Sequence, residues 1–195
     1  MSLTTFAEQA LADIHSTAAI APSSRFLARA MVEPLPLDCR RVVEFGPGTG
    51  AMTRALLDRL PADAEVLAFE VNLSFVDYLR HEIQDPRLQV IQAGAETASV
   101  EIARRGWTHI DSAVSSLGLG LMSDELMESI FRGLSPLLRD GGVLTQFQYA
   151  QRMRMQDGRP SYFNAAYLLE RHFSTISRRT ILRNLPPAFV YECRV

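Results

Sequence analysis

The chain contains no lysine, so all twenty basic residues among its 195 are arginine. Arginine offers phosphate a planar fork, but a bias this complete is no sign of twenty phosphate contacts. Cysteine is also scarce. Cys39 and Cys193 stand far apart without metal-ligand spacing, which argues against a zinc site and reads as two free thiols in a reducing compartment. No apolar run approaches the roughly 18 to 20 residues that span a bilayer, and the N-terminus lacks a basic start followed by an apolar core. A cytoplasmic location is the expectation. There is no internal repeat, linker or low-complexity stretch. At 195 residues there is room for one full core and none for a second domain, so residues 1–195 are expected to form a single domain, with 47% hydrophobic and 22% charged residues as in ordinary soluble proteins. The net charge of −2 leaves no overall field to attract a polyanion.

Against this plain background residues 41–50, RVVEFGPGTG, stand out. Val42, Val43 and Phe45 read as a buried strand. Gly46, Gly48 and Gly50 then allow a sharp turn and close approach of a ligand, and a helical pattern begins at Ala51. This strand, loop and helix order makes a nucleotide pocket. Glu44 lies two residues before the first glycine, where a pyrophosphate would meet its negative charge. A cationic ligand suits it better, and S-adenosylmethionine, with an ammonium, a sulfonium and no phosphate, is preferred to NAD on that ground. Glu70 ends a second apolar strand, where an acid can accept hydrogen bonds from ribose hydroxyls. The plainer alternative is a tight turn and a solvated strand end; the joint occurrence of loop and acid weighs against it.

The remaining chain supplies the frame. Phe6, Leu11 and Ile14 recur at helical spacing over residues 4–19, a moderate amphipathic helix that reads as a cover over the domain or as a membrane-surface contact. Ser23 or Ser24 caps a second helix running to about Glu33, stopped by Pro34 and Pro36, so residues 1–36 are expected to cap the site. Strands follow to Glu70, over 88–92, 109–115 and 142–149. Between them lie helices over 72–84, from Glu96 to near Gly106, and over 124–138. That alternation predicts a parallel sheet with helices on both faces. Residues 174–183 and 188–194 are strand-like, and the four residues between them are too few for a crossover, so they pair antiparallel. The expected α/β architecture is Rossmann-like: a mostly parallel seven-stranded sheet with a C-terminal antiparallel hairpin.

Together these features resemble the class I S-adenosylmethionine-dependent methyltransferases over essentially the whole chain. APSSRFLARAM, EFGPGTGAMTRALL and RNLPPAFVYEC, in that order, narrow the resemblance to the bacterial phospholipid N-methyltransferases, which methylate phosphatidylethanolamine. The resemblance implies that Gly46, Gly48, Gly50 and Glu70 bind the cofactor. Glu44, Val71, Ala95 and Ser115 complete the expected cofactor set. The sequence departs from the family at Ala93-Gly94-Ala95, where an acid usually approaches the adenine, leaving that contact to backbone or to Glu96. It departs again at Ser115-Ser116-Leu117-Gly118, where a Gly-Leu-Pro turn usually lies beside the substrate. Ser116, Arg25 and Arg29 are the acceptor-side candidates. The two arginines, one helical turn apart, can grip a phosphate or form a solvated helix face.

Methyl transfer needs positioning above all, because the sulfonium is already an activated leaving group. The amine must lose a proton, yet no histidine–aspartate pair announces itself; His15 is the nearest candidate base, and a plain surface histidine is the favoured reading of it. Residues 151–183 carry seven arginines and look loop-like, able to meet anionic lipid or RNA. The expected partner is a phospholipid or other small-molecule amine, with reversible membrane-surface contact and no nucleic acid. The alternatives are a methyltransferase for RNA adenine or a soluble small molecule, or a cofactor-binding protein without catalysis.

Overall fold

The protein was analysed as a computed structural model that describes residues 24–149, 153–156 and 159–195. Its main sheet is built from β1 (Arg41–Phe45), β2 (Glu65–Glu70), β3 (Leu88–Gln92), β4 (Ile110–Ser115), β5 (Leu138–Tyr149), β8 (Thr175–Ile181) and β9 (Ala188–Arg194). The strand order is β3-β2-β1-β4-β5-β9-β8. Strands β1 to β5 pair in parallel, while β9 runs antiparallel to both β5 and β8. The expected seven-stranded sheet is therefore present. From β1 the chain winds outward through β2 and β3, then returns to the other side of β1 as β4. The reversal opens a crevice at the carboxyl ends of β1 and β4, where ligands bind in sheets of this kind.

Each helix has a legible start. In α1 (Arg25–Val32) the Ser24 hydroxyl accepts from the Leu27 N–H, and Leu27, Ala28, Met31 and Val32 form its buried stripe. Gly50, in the left-handed region at φ 81°, leads into α2 (Ala51–Arg59). Asn72 caps α3 (Leu73–Glu82) by accepting from Ser74 and Phe75 N–H groups. Helix α4 (Ala98–Arg104) follows a single 3₁₀ turn over Ala95–Thr97. Ser123 caps α5 (Asp124–Leu134), whose Met127, Ile130, Phe131 and Leu134 recur at i, i+3, i+4 and i+7.

Two apolar cores lie on opposite sheet faces. Val43, Phe45, Leu67 and Phe69 pack with residues of α4, α5 and α6 (Ala165–Leu169). Val42, Val66 and Val114 pack with α1 and α2. Burying the dozen or so large side chains on each face supplies the main stabilisation, at roughly 25 cal/mol per Å² of apolar surface. At the opposite edge from the crevice, Asp111 accepts hydrogen bonds from the backbone N–H groups of Arg40 at 2.7 Å and Arg41 at 2.8 Å, and pairs with Arg139 Nε at 2.6 Å. One carboxylate thus ties together the starts of β1, β4 and β5.

Three expectations are corrected. The helix over 124–138 ends at Leu134, because Pro136 turns the chain into a 3₁₀ segment over Ser135–Leu137. β5 accordingly starts at Leu138 rather than at Gly142. Residues 151–183 are not simply loop-like: β6 (Met153–Gln156) and β7 (Arg159–Tyr162) pair in a separate antiparallel ribbon, and α6 follows, capped by Asn164. The amphipathic stretch over residues 4–19, with its Phe6, Leu11, Ile14 and His15, lies outside the described residues.

Candidate functional site

The glycine loop leaves β1 at the crevice. Gly46 N–H donates to the Phe69 carbonyl at 3.0 Å, so the loop begins by crossing toward β2. Gly46, Gly48 and Gly50 all have positive φ, at 66°, 54° and 81°. They serve different ends. A β-carbon on Gly50 would come within 2.8 Å of Leu79 and Ile83, so this glycine lets the loop seat against α3. A β-carbon on Gly48 would meet nothing within 4 Å. Its surface faces open space, where a ligand can lie against bare backbone.

Glu70, at the end of β2, is tied to that loop. Its Oε2 accepts from the Gly48 N–H at 3.1 Å and its Oε1 from the Asn72 N–H at 2.9 Å. Both carboxylate oxygens keep lone pairs for ribose hydroxyls. Beside it Val71 is 50% exposed and Leu73 54%, leaving an apolar ledge at the tip of β2. Ala95 is buried at the first 3₁₀ turn after β3, and the exposed Glu96 carboxylate curls back over Gly94.

Glu44 is fully buried beneath α2. Among the described residues neither of its oxygens has a hydrogen-bond partner, and neither has the Thr53 hydroxyl. Burial pushes the Glu44 carboxyl up to about 8; the nearby Thr53 hydroxyl opposes that shift, though out of hydrogen-bonding geometry, and the charge of Glu70 adds to it. An unpartnered carboxyl in a dry site favours an arriving cation, since ionising it there costs free energy that only an opposite charge offsets.

The end of β4 holds further unpartnered polar atoms. Ser115 is fully buried, and its Oγ and that of Ser116 lack partners among the described residues. Strand register divides them. Glu44, Val114 and Thr145 share one row and face the α1 and α2 side, whereas Phe45, Ser115 and Gln146 share the next and face the other side. The structure brings Gly48, Glu70 and Val71 together at the mouth, with Glu44 below one sheet face and Ser115 below the other. Arg25 and Arg29 stand exposed on α1, apart from that group; Arg25 lies over the Phe26 ring at 5.1 Å.

Sequence reading passed over Asn72, Thr53, Thr145 and Gln146. Gln146 is fully buried; its Nε2 donates to the Leu117 carbonyl at 3.0 Å while its Oε1 has no partner among the described residues. A signal for it existed, because a Thr-Gln pair in a strand buried on both faces demands explanation.

This crevice, bare-backbone loop and strand-end acid define a nucleotide-type site on a Rossmann-like sheet. Residues 42–142, just over half of the chain, match the methyltransferase domain family. The chain is 30% identical over 184 residues to an ornithine lipid N-methyltransferase of Singulisphaera acidiphila, covering 92% of this chain and 90% of that protein. It is 29% identical over 122 residues to the ribosomal RNA small subunit methyltransferase A of Thermosynechococcus vestitus, covering 63% of this chain and 44% of that protein. In fold it resembles the glycopeptide N-methyltransferase MtfA solved with S-adenosylhomocysteine, with a TM-score of 0.67 at 14% identity, covering 96% and 98% of the two chains. The chain belongs to the class I S-adenosylmethionine-dependent methyltransferases, and S-adenosylmethionine is its cofactor. The residues fit that molecule: a buried, unpartnered carboxyl suits its ammonium, and the open space at Gly48 admits its chain.

Proposed function

We propose that the protein methylates the amine of a membrane-lipid headgroup, with phosphatidylethanolamine as the first candidate. The observation that carries this reading is the relative whose printed substrate is an amine-bearing lipid, matched along nine-tenths of both chains. Ornithine lipid and phosphatidylethanolamine share a primary amine attached to a diacyl anchor, and that shared chemistry is what the site must accept. The partial matches to ribosomal RNA methyltransferases favour RNA as the second reading.

The placement of these residues supports the following roles. Glu44 takes the α-ammonium of the cofactor, Glu70 the ribose hydroxyls, Gly46, Gly48 and Gly50 the close-lying chain, and Val71 and Ala95 the adenine faces. When bound, the cofactor supplies a methyl group on a positively charged sulfur, which leaves as a neutral thioether. An acceptor amine would have to be held here as the free base, with its lone pair toward the methyl and a route for its remaining proton to solvent. Ser115, Ser116 and Gln146 carry oxygens without partners among the described residues, suited to hold the amine hydrogens and aim the lone pair. Arg25 and Arg29 are suited to a headgroup phosphate. Of residues 1–36, expected to cap the site, residues 1–23 lie outside the described residues.

Incubation with methyl-labelled S-adenosylmethionine and, separately, phosphatidylethanolamine in mixed micelles, ornithine lipid and ribosomal RNA tests the assignment. Label is expected in an aminolipid. Label confined to RNA, or absent from all acceptors while the cofactor still raises the melting temperature, would overturn it.

A further inference from the structure

The loop between β8 and β9 lies at the carboxyl edge of the sheet, the edge on which the cofactor crevice opens, because β8 runs parallel to β5 and Ile181 aligns through Ala188 with Tyr149. Two leucines of this loop are among the most exposed large apolar residues described: Leu182 at 76% and Leu185 at 82%. Between them, Arg183 lies over the Phe26 ring at 5.2 Å, and Arg25 approaches the same ring at 5.1 Å. Asn184 is buried and fixes the arrangement, its Oδ1 accepting from the Ser24 N–H at 3.0 Å and its Nδ2 donating to the Pro186 carbonyl at 2.8 Å. The loop tip and the start of α1 are therefore one surface.

That surface has a consistent charge. Residues 24–32 and 181–189 contain Arg25, Arg29 and Arg183 and no acidic side chain. The nearest acid, Glu33, is engaged by Arg179 at 2.9 Å. Exposed leucines beside guanidinium groups that have no acidic partner among the described residues fit an interface that is apolar a few ångströms in and anionic at its surface. Nucleic acid would use the arginines but gain nothing from two aliphatic side chains, since single-stranded RNA is held by aromatic stacking and phosphate contacts.

We infer that the β8–β9 loop tip and the start of α1 form a docking surface for an anionic lipid bilayer, with Leu182 and Leu185 entering the headgroup region and Arg183 and Arg25 at the phosphates. This rests on the lipid-amine reading above and adds to it how a chain without a spanning helix among its described residues meets an acceptor held in a membrane. The crevice then opens on the same edge of the sheet as the docking surface.

The test uses the full chain and vesicles of phosphatidylglycerol and phosphatidylethanolamine, against vesicles of phosphatidylcholine alone. Wild type is expected to sediment with the anionic vesicles and to be released by salt. Leu182→Glu/Leu185→Glu is expected to weaken vesicle binding at least tenfold, and Arg183→Gln roughly fivefold. S-adenosylmethionine affinity and methylation of a monomeric short-chain aminolipid should stay unchanged in the double variant. Leu182→Ser/Leu185→Ser, a milder change, guards against a folding defect and should show the same direction. Vesicle binding by the double variants equal to wild type would overturn the proposal and leave the contact to other residues. Loss of ribosomal RNA binding instead of vesicle binding would overturn it too. The two readings separate cleanly: short-chain aminolipid methylated without vesicle binding sinks the surface alone, and vesicle binding without aminolipid methylation sinks the acceptor alone.

Discussion

Glu44 sets the balance between stability and function at the scale of one residue. Its carboxyl is raised to about 8, against about 4.3 in an unfolded chain. A raised acid contributes most below its unfolded value, and that contribution is lost as pH climbs toward the folded value. The ligand-free protein should therefore lose stability between about pH 4 and pH 8 on account of this group, and S-adenosylmethionine should restore it. Glu44→Gln removes the buried charge without removing bulk. It is expected to raise the melting temperature of the ligand-free protein at pH 8 while weakening cofactor binding by about tenfold to a hundredfold, the equivalent of one charge-assisted hydrogen bond of about 1.5–3 kcal/mol. Calorimetric titration and thermal melts across pH measure both halves. A variant that binds the cofactor as tightly as wild type would release Glu44 from the ammonium role.

Among elements, the loop between β1 and α2 shows how glycines of one motif answer to different constraints. Gly50 must stay bare because α3 packs on it; a β-carbon on Gly48 would meet no protein atom within 4 Å, and the proposed cofactor site is what would need it bare. Gly50→Ala should cost stability by about 1–3 kcal/mol, from overpacking against Leu79 and Ile83 and from the left-handed backbone. Gly48→Ala meets no protein atom, so its stability cost should stay near about 1 kcal/mol from backbone strain, while cofactor affinity falls by more than in Gly50→Ala when each is measured on folded protein. Denaturant melts paired with cofactor titrations separate the two. Equal losses of affinity would mean that the open space at Gly48 is not where the ligand lies.

For the whole molecule, Asp111 closes the sheet at the edge away from the site. Burial alone would raise its carboxyl, but the Arg41 and Arg40 N–H groups and the Arg139 charge outweigh that and hold it below the usual carboxylate range. A depressed acid contributes stability above about pH 3.9, its unfolded value, and loses it as pH falls through the folded value. Asp111→Asn is expected to cost about 2–4 kcal/mol at pH 7, with a gap that narrows near pH 3, as read from urea melts at the two pH values. A gap independent of pH would show that packing, rather than the charge, is what Asp111 contributes.

The order of elements, the seven-stranded sheet and the loop with its strand-end acid were legible because they depend on local signals: hydrophobic period, a cap at Ser24, and prolines at turns. Resemblance of separated motifs then pointed to the cofactor. Much of the rest was set by tertiary contacts that no local pattern encodes. Whether Glu44 is a solvated acid or a buried one depends on α2 folding over it. That Ser115 and Glu44 lie on opposite faces follows from the register of β1 and β4. That Arg183 joins Phe26 and Arg25 is a contact between chain segments about 160 residues apart, tied by the Ser24–Asn184 hydrogen bond. Sequence alone determined which chemistry the chain carries; only packing decided which side chains are buried, which are exposed, and which segments meet at one surface.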